Sequence, residues 1–262
     1  MTLVPHLRIE DIRIEYRWWD PAAQAYPVPI VLLHEGLGSV SLWKEFPQQL
    51  ADTTGRRVLA YSRYGYGQST PLRSKRDPRY MHDEALQTLP ALRSQLGIDD
   101  CILFGHSDGA SIGLIHAGAR RWRVSALIVL APHVFVEEEG VRSIAAARDA
   151  YFTSDLKERL AKRHADPDSA FWGWCDIWLD ARFRDWNIEE YLAPIACPVL
   201  AIQGHDDEYG TMEQITRLVR AVDLIEVEKL HECGHSPHRD QPARVLERTQ
   251  RFLTEQFPDP AT

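Results

Sequence analysis

Short runs of consecutive apolar residues recur along the chain, and amphipathic segments separate them. A strand that is buried on both faces has no polar face, so its sequence does not alternate. Five runs have this character and are predicted strands of a parallel sheet: 29–33, 57–61, 101–104, 126–130 and 198–202.

Two segments near the start of the chain alternate between apolar and polar residues instead. Residues 7–10 and 12–16 follow this pattern, which is typical of strands with one exposed face. We expect them to form an antiparallel pair at the edge of the sheet. A further strand-like run, 224–228, brings the predicted total to eight strands.

In the segments between the strands, apolar residues recur every three or four positions, which is the period of an amphipathic helix. The predicted helices are 81–96, 112–120, 212–222 and 243–257. Strands that alternate with helices form a parallel sheet with helices packed on it. The predicted fold class is therefore α/β, with a mostly parallel eight-stranded sheet and helices on both faces.

Residues 133–192 interrupt this alternation because they contain no buried-strand run. They hold helical segments at 141–152 and 155–164 and a dense aromatic group: Phe171, Trp172, Trp174, Trp178, Phe183 and Trp186. Since binding pockets are lined mainly by apolar and aromatic side chains, we expect a helical cap that roofs a pocket. Residues 1–132 and 193–262 would then form the core. The alternative is a helical bundle on the flank, with the tryptophans as its core.

Residues 105–109 read Gly-His-Ser-Asp-Gly and lie between a predicted strand and a predicted helix. A serine in such a sharp turn has a strained backbone, and glycines on both sides avoid clashes with the turn and the next strand. Its hydroxyl stands at the carboxyl end of the sheet, beside a helix N-terminus that favours negative charge. Ser107 is the candidate nucleophile.

A serine is a weak nucleophile until a base removes its proton, and an acid must orient that base. His235 is the candidate base, in a loop between 224–228 and the last predicted helix. Asp206 and Asp207 both follow the strand 198–202, and either could supply the acid.

These motifs resemble the α/β-hydrolase superfamily of capped, esterase-like enzymes over almost the whole chain. Residues 34–39 resemble the family's His-Gly oxyanion loop, and 62–69 resemble its D-x-R-G-x-G-x-S turn. Residues 198–207 resemble its P-V-L-x-I-x-G-x-x-D segment, in which the acid lies three residues past the glycine. This register selects Asp207 as the acid, and the order serine, aspartate, histidine is that of the family's triads.

The resemblance also implies an oxyanion hole of preorganised N–H donors. One donor is the backbone N–H of Asp108, and the other comes from the His34 loop, with Gly36 favoured by register and Leu37 as the alternative. The sequence departs from the family at Glu35, where a glycine is usual, and at 63–64, which lack the common acid and arginine. The Glu35 carboxylate would repel anionic substrates or assist proton transfer.

Substrate-binding residues are expected in the oxyanion loop and in the aromatic group. The candidates are Glu35, Leu37, Trp172, Trp174 and Trp178. Two nearby histidines, His34 and His106, are interpreted as structural.

Composition and charge narrow the class of partner. The chain has 262 residues, 44% of them hydrophobic, and a net charge of −8, which argues against a nucleic-acid partner because binding phosphates needs a basic surface. No apolar run is long enough to span a bilayer, and the N-terminus lacks a signal-peptide pattern. We expect a cytoplasmic protein that binds a small molecule and no membrane. Its oligomeric state is left open.

Two local clusters allow a second interpretation. A basic stretch is either a solvated loop or a contact for an anionic substrate tail: Arg73, Lys75, Arg76 and Arg79. A group of possible metal ligands has a spacing that matches no common zinc pattern: His231, Cys233, His235 and His238. The chain also lacks a glycine-rich dinucleotide or phosphate loop, so neither a metal nor a cofactor is predicted.

The motifs predict hydrolysis of a carboxylic ester through an acyl-enzyme, and thioesters and lactones need the same groups. The family resemblance also admits hydrolases of carbon–carbon bonds that use the same triad. A ligand-binding receptor without turnover is a further alternative, because fold alone does not fix function.

Overall fold

A single eight-stranded sheet runs through the computed structural model, which describes residues 4–258. Its strands are β1 (His6–Ile9), β2 (Ile12–Trp19), β3 (Ile30–Leu33), β4 (Val58–Tyr61), β5 (Asp100–His106), β6 (Arg123–Leu130), β7 (Val199–Gly204) and β8 (Ile225–Leu230). Their order is β1-β2-β4-β3-β5-β6-β7-β8. The pairs β1–β2 and β2–β4 are antiparallel, and the others are parallel. The predicted fold class and the antiparallel edge pair are confirmed.

Helices cover both faces of the sheet. They are α1 (Phe46–Thr54), α2 (Tyr80–Asp83), α3 (Leu89–Gln95), α4 (Asp108–Gly118), α5 (Glu138–Thr153), α6 (Leu156–Ala161), α7 (Pro167–Leu179), α8 (Met212–Ala221), α9 (Pro237–Asp240) and α10 (Pro242–Gln256). Successive residues of β3 show why its sequence is continuously apolar. Ile30 and Leu32 join the core on one face, while Val31 and Leu33 join the core on the other.

The helix predicted at 81–96 is interrupted. A π turn, Glu84–Thr88, separates α2 from α3. Pro90 lies in the first turn of α3 and has no N–H to donate to the preceding turn, which accounts for the break. The apolar stripe still faces the core, because Leu89 and Leu92 are fully buried.

Residues 133–192 connect β6 to β7, and the two ends of this segment lie side by side. Phe135 and Asn187 form an isolated antiparallel bridge, and Ile188 N–H donates to Val134 O at 2.9 Å. The segment contains α5, α6 and α7. Among the described residues, no helix is both long enough and apolar enough to cross a membrane.

Candidate active site

The turn at Ser107 has the strained conformation that the motif predicts. Ser107 lies between β5 and α4 with φ 54° and ψ −119°, a region that residues with a side chain rarely adopt. A Cβ on Gly105 would lie 2.4 Å from Gly109 O, and one on Gly109 would lie 2.0 Å from Leu33 O. Gly105 is therefore required for the close approach of β5 to α4, and Gly109 for that of α4 to β3.

His235 and Asp207 lie beside Ser107, although they are distant in sequence. His235 Nε2 is 2.9 Å from Ser107 Oγ. On the other side of the ring, His235 Nδ1 is 2.8 Å from Asp207 Oδ1 and 2.9 Å from its Oδ2. A carboxylate accepts hydrogen bonds, so the proton lies on Nδ1 and the Nε2 lone pair faces the serine hydroxyl.

The Asp207 carboxylate also accepts hydrogen bonds from other groups. It accepts from Gln203 Nε2 at 2.7 Å and from the backbone N–H of Tyr209 at 2.8 Å. Burial would raise the pKa of Asp207, but its hydrogen bonds and the charge of His235 bring a net lowering. Asp206, by contrast, is exposed, and both hydrogen bonds of His235 Nδ1 to a carboxylate are to Asp207.

The two histidines interpreted as structural make hydrogen bonds to the backbone of loops at the site. His106 Nε2–H donates to His235 O at 2.7 Å and so ties the base to the strand that precedes the nucleophile. His34 Nδ1–H donates to Glu35 O at 2.6 Å, and its Nε2 accepts from Arg63 N–H at 3.0 Å. Burial lowers the pKa of His34 well below its usual value, which suits a neutral ring that both donates and accepts.

Arg63 contacts both segments that were predicted to supply oxyanion donors. Its Nη2 donates to Glu35 O at 2.9 Å and to Asp108 Oδ2 at 3.2 Å. Tyr80 OH also donates to Asp108 Oδ2, at 2.9 Å. The Asp108 side chain is thus committed to a buried ion pair, and only its backbone is left to act at the site. The motifs single out Arg63 merely as a departure from the family register, and nothing in the sequence reports its pairing with Asp108.

Comparisons with known proteins identify the fold family. A model of the alpha/beta hydrolase fold matches residues 28–191, more than half of the chain. The chain is 28% identical over 253 residues to the sn-1-specific diacylglycerol lipase ABHD11 of Danio rerio, which covers 86% of this chain and 78% of that protein. It is 34% identical over 88 residues to a proline iminopeptidase of Lactobacillus delbrueckii subsp. lactis, covering 34% of this chain but only 30% of the relative.

The chain belongs to the α/β hydrolase fold family.

Solved structures share the architecture of this α/β hydrolase. A carboxylesterase of the thaumarchaeon Nitrososphaera gargenis superposes with a TM-score of 0.76 at 22% identity, covering 98% of this chain and 100% of that chain. The enol-lactonase of Burkholderia xenovorans LB400 gives 0.74 at 19% identity, covering 95% and 100%. At such low identity these likenesses show the fold alone.

A cavity of about 530 Å³ opens beside Ser107 and is within the usual size of small-molecule sites. The oxyanion-loop residues Gly36 and Leu37 line it. Trp174 and Trp178, one helical turn apart on α7, line it from the other side.

The structure places Trp172 at a different groove from Trp174 and Trp178. Trp172 is absent from the lining of this cavity and borders a separate groove instead. Two residues of helix amount to about 200° of rotation, so a side chain at 172 faces away from one at 174. The expected roof residues therefore reduce to Trp174 and Trp178.

Glu35 lines the cavity, but neither role suggested for it fits its contacts. Its Oε1 accepts from Arg239 Nη2 at 2.7 Å, and its Oε2 lies 3.5 Å from His106 Nδ1. Burial would raise the pKa of Glu35, yet its interactions with His106, Arg239 and His238 leave that pKa well below the usual range. Glu35 stays charged and paired, so it is neither a proton donor near neutral pH nor a free repulsive charge.

His133 also lines the cavity, and the motifs do not single it out. It lies just past the carboxyl end of β6, the edge at which α/β sheets bind ligands, and this position is the signal that could have found it. Its ring centroid is 5.5 Å from that of His235. Burial lowers the pKa of His133 to about 4, so the ring is neutral at ordinary pH.

The basic stretch at 73–79 lies away from this cavity. Arg73 pairs with Asp11 and Lys75 with Asp176, and both border the groove beside Trp172. Within residues 4–258, no group of three or more His, Cys, Asp or Glu side chains is arranged to hold a metal ion.

Proposed function

We propose that this α/β hydrolase is a serine hydrolase that cleaves a carboxylic ester through an acyl-enzyme. The hydrogen-bonded series from Ser107 Oγ through His235 to Asp207, with distances of 2.9 and 2.8 Å, carries the proposal. It is the arrangement that activates a serine hydroxyl, and its members come from three different loops.

In the proposed mechanism Ser107 Oγ attacks the ester carbonyl while its proton passes to His235 Nε2. Asp207 holds the ring and stabilises the imidazolium that forms. The backbone N–H groups of Asp108 and Gly36 stabilise the oxyanion. His235 then gives its proton to the departing alcohol, which leaves Ser107 acylated. A water molecule, deprotonated by His235, attacks the acyl-enzyme and releases the acid.

The lining of the cavity favours an ester over a peptide with a free N-terminus. The relatives include both a diacylglycerol lipase and a proline iminopeptidase, and a substrate with a free N-terminus would bring a cationic amine into the cavity. In the described part of the chain, Glu35 is the one carboxylate that lines the cavity, and Arg239 already pairs with it. The site therefore lacks a free anion that would bind an amine.

The test measures release of p-nitrophenol from short acyl esters and covalent labelling by a fluorophosphonate probe. We expect wild-type protein to do both and Ser107→Ala to do neither. Ser111→Ala is the matched control, because Ser111 lies one turn further along α4 and donates to His133 O instead. Wild-type protein that neither labels nor cleaves any ester, thioester or lactone would overturn the proposal. Turnover of a diketone alone would favour the carbon–carbon hydrolase, and labelling confined to Ser107 excludes a receptor without a reactive serine.

A further inference from the structure

The cavity beside Ser107 is lined by cations, although the chain as a whole is acidic. Five cationic side chains contribute to its wall: Lys44, Arg159, Lys162, Arg163 and Arg239. Glu35 is the one lining carboxylate among the described residues, while the whole chain has a net charge of −8. The local charge is thus opposite to that of the molecule, and a cleft of one sign concentrates ligands of the other.

Two of these cations already have carboxylate partners. Arg239 pairs with Glu35 at 2.7 Å, and Arg159 pairs with Asp155 at 2.6 Å. For Lys44, Lys162 and Arg163, no ion pair forms with any carboxylate in residues 4–258. These three cations come from two separate parts of the chain, one after the oxyanion loop and one after α6.

The segment that carries Lys162 and Arg163 is fixed to the oxyanion loop by the next residue, His164. The buried His164 ring donates from Nε2 to Leu37 O at 3.0 Å and accepts at Nδ1 from Gly67 N–H at 2.9 Å. Ala165 N–H adds a bond to Gly67 O at 2.8 Å. Lys162 and Arg163 therefore belong to a segment that is anchored beside the oxyanion loop, not to a loose surface loop.

Apolar side chains also line the cavity. Ile144 of α5 and Leu156 and Leu160 of α6 line the wall next to Arg159. A ligand that fills this cavity would therefore contact apolar as well as cationic side chains.

We propose that the ester substrate carries both an apolar segment and an anionic group, such as a carboxylate, and that Lys44, Lys162 and Arg163 bind the anionic group. The inference rests on the proposed ester hydrolysis and names the class of substrate. It replaces the basic stretch at 73–79, which borders another groove, as the contact for an anionic substrate.

The experiment compares kcat/KM for mono-p-nitrophenyl adipate with that for p-nitrophenyl hexanoate, which has the same length but no charge. We expect the double variant K162A/R163A to lower the adipate-to-hexanoate ratio by about tenfold, and K44A by about threefold, as for partly exposed charges. Lys75→Ala is the matched control, since Lys75 is 86% exposed and lines the other groove. A second substrate pair, 4-acetoxybenzoate and its methyl ester, places the charge on the leaving group and shows which side of the ester the cations contact.

Raising the salt concentration tests the unmodified protein as well. The wild-type ratio should fall as the Debye length drops from about 30 Å at 0.01 M to about 3 Å at 1 M salt. Ratios that are unchanged in K162A/R163A and in K44A, or reduced equally in K75A, would overturn the anion site. Fluorophosphonate labelling separates the two proposals. Protein that is labelled but shows no preference for the anionic substrate would refute only the anion site. Protein that is not labelled and cleaves no ester would refute the proposed serine hydrolase.

Discussion

The turn at Ser107 and the helical segment 133–192 meet across one cavity, but different forces hold them. Backbone approaches fix the turn, where a single added Cβ at Gly109 would lie 2.0 Å from Leu33 O. Side-chain packing and a few hydrogen bonds fix the segment, such as Trp178 Nε1–H to Tyr80 OH at 3.1 Å. Backbone crowding permits few alternatives, whereas packed side chains tolerate substitution. We infer that the turn determines the chemistry and the segment determines what is bound.

We expect the largest effect on activity from a substitution of Asp207, the acid that acts through His235 on the Ser107 turn. Asp207→Asn keeps the shape but removes the charge that orients and stabilises His235, so kcat/KM for a p-nitrophenyl ester should fall by roughly 10³- to 10⁴-fold. Asp206→Asn is the matched control, because Asp206 is exposed; its effect should be under about twofold. The reverse result would mean that Asp206 is the acid.

Arg63 joins the turn to the oxyanion loop, and its removal should be the next most severe change. Arg63→Met leaves the Asp108 carboxylate buried without its cation, which costs about 3–5 kcal/mol of unfolding free energy. The double variant R63M/D108N removes the buried charge as well and should recover most of this stability. It should not recover kcat, because Glu35 O keeps its bond from His34 but still lacks the Arg63 donor that joins the oxyanion loop to the turn. Denaturant unfolding and ester kinetics on the three proteins check both parts, and full recovery of kcat in the double variant would assign Arg63 a structural role only.

The turn could be predicted because its constraints are local in sequence. Gly105, Ser107 and Gly109 are needed by the turn itself, and the apolar runs reveal the strands on which the motifs stand. The carboxyl ends of parallel strands share one edge, so a motif that follows such a strand has a known place. The same reasoning brought Asp206, Asp207 and His235 to this edge, and the family resemblance then selected Asp207.

The other side of the cavity could not be predicted in the same way, because it depends on contacts between distant segments. Trp172 and Trp174 are the same residue type in the same aromatic group, and they differ only in the face of α7 on which they lie. His164 contacts Leu37, 127 residues away, and the ion pair of Arg63 with Asp108 spans 45 residues. No periodicity or short motif reports such pairings.

Trp174 and Trp172 provide the sharpest test of the segment 133–192. Trp174 Cδ1 lies 2.3 Å from where a Cβ on Gly36 would be, so the indole packs directly on the oxyanion loop. Trp174→Leu should change the relative kcat/KM for short and long acyl chains by about tenfold, as reshaping an apolar pocket does. Trp172→Leu, on the opposite face of the same helix, should leave this preference unchanged. Equal effects from both would favour a flank bundle over a pocket roof.

The smallest expected effect concerns how the segment depends on pH. Burial lowers the pKa of His164 to about 4, as it does for His116 and His133. Between about 4 and the unfolded value of about 6.5 the unfolded chain binds more protons, so these residues make the protein less stable as pH falls through that window. His164→Gln keeps a donor for Leu37 O but does not titrate. Unfolding free energies measured at several pH values should therefore fall less steeply in this variant, by at most about 1 kcal/mol per pH unit. His231→Gln, at an exposed site, serves as the control. If the slope of the unfolding free energy against pH is unaltered in His164→Gln, His164 is charged in the folded protein. Its bonds to Leu37 and Gly67 are then not those of a neutral ring.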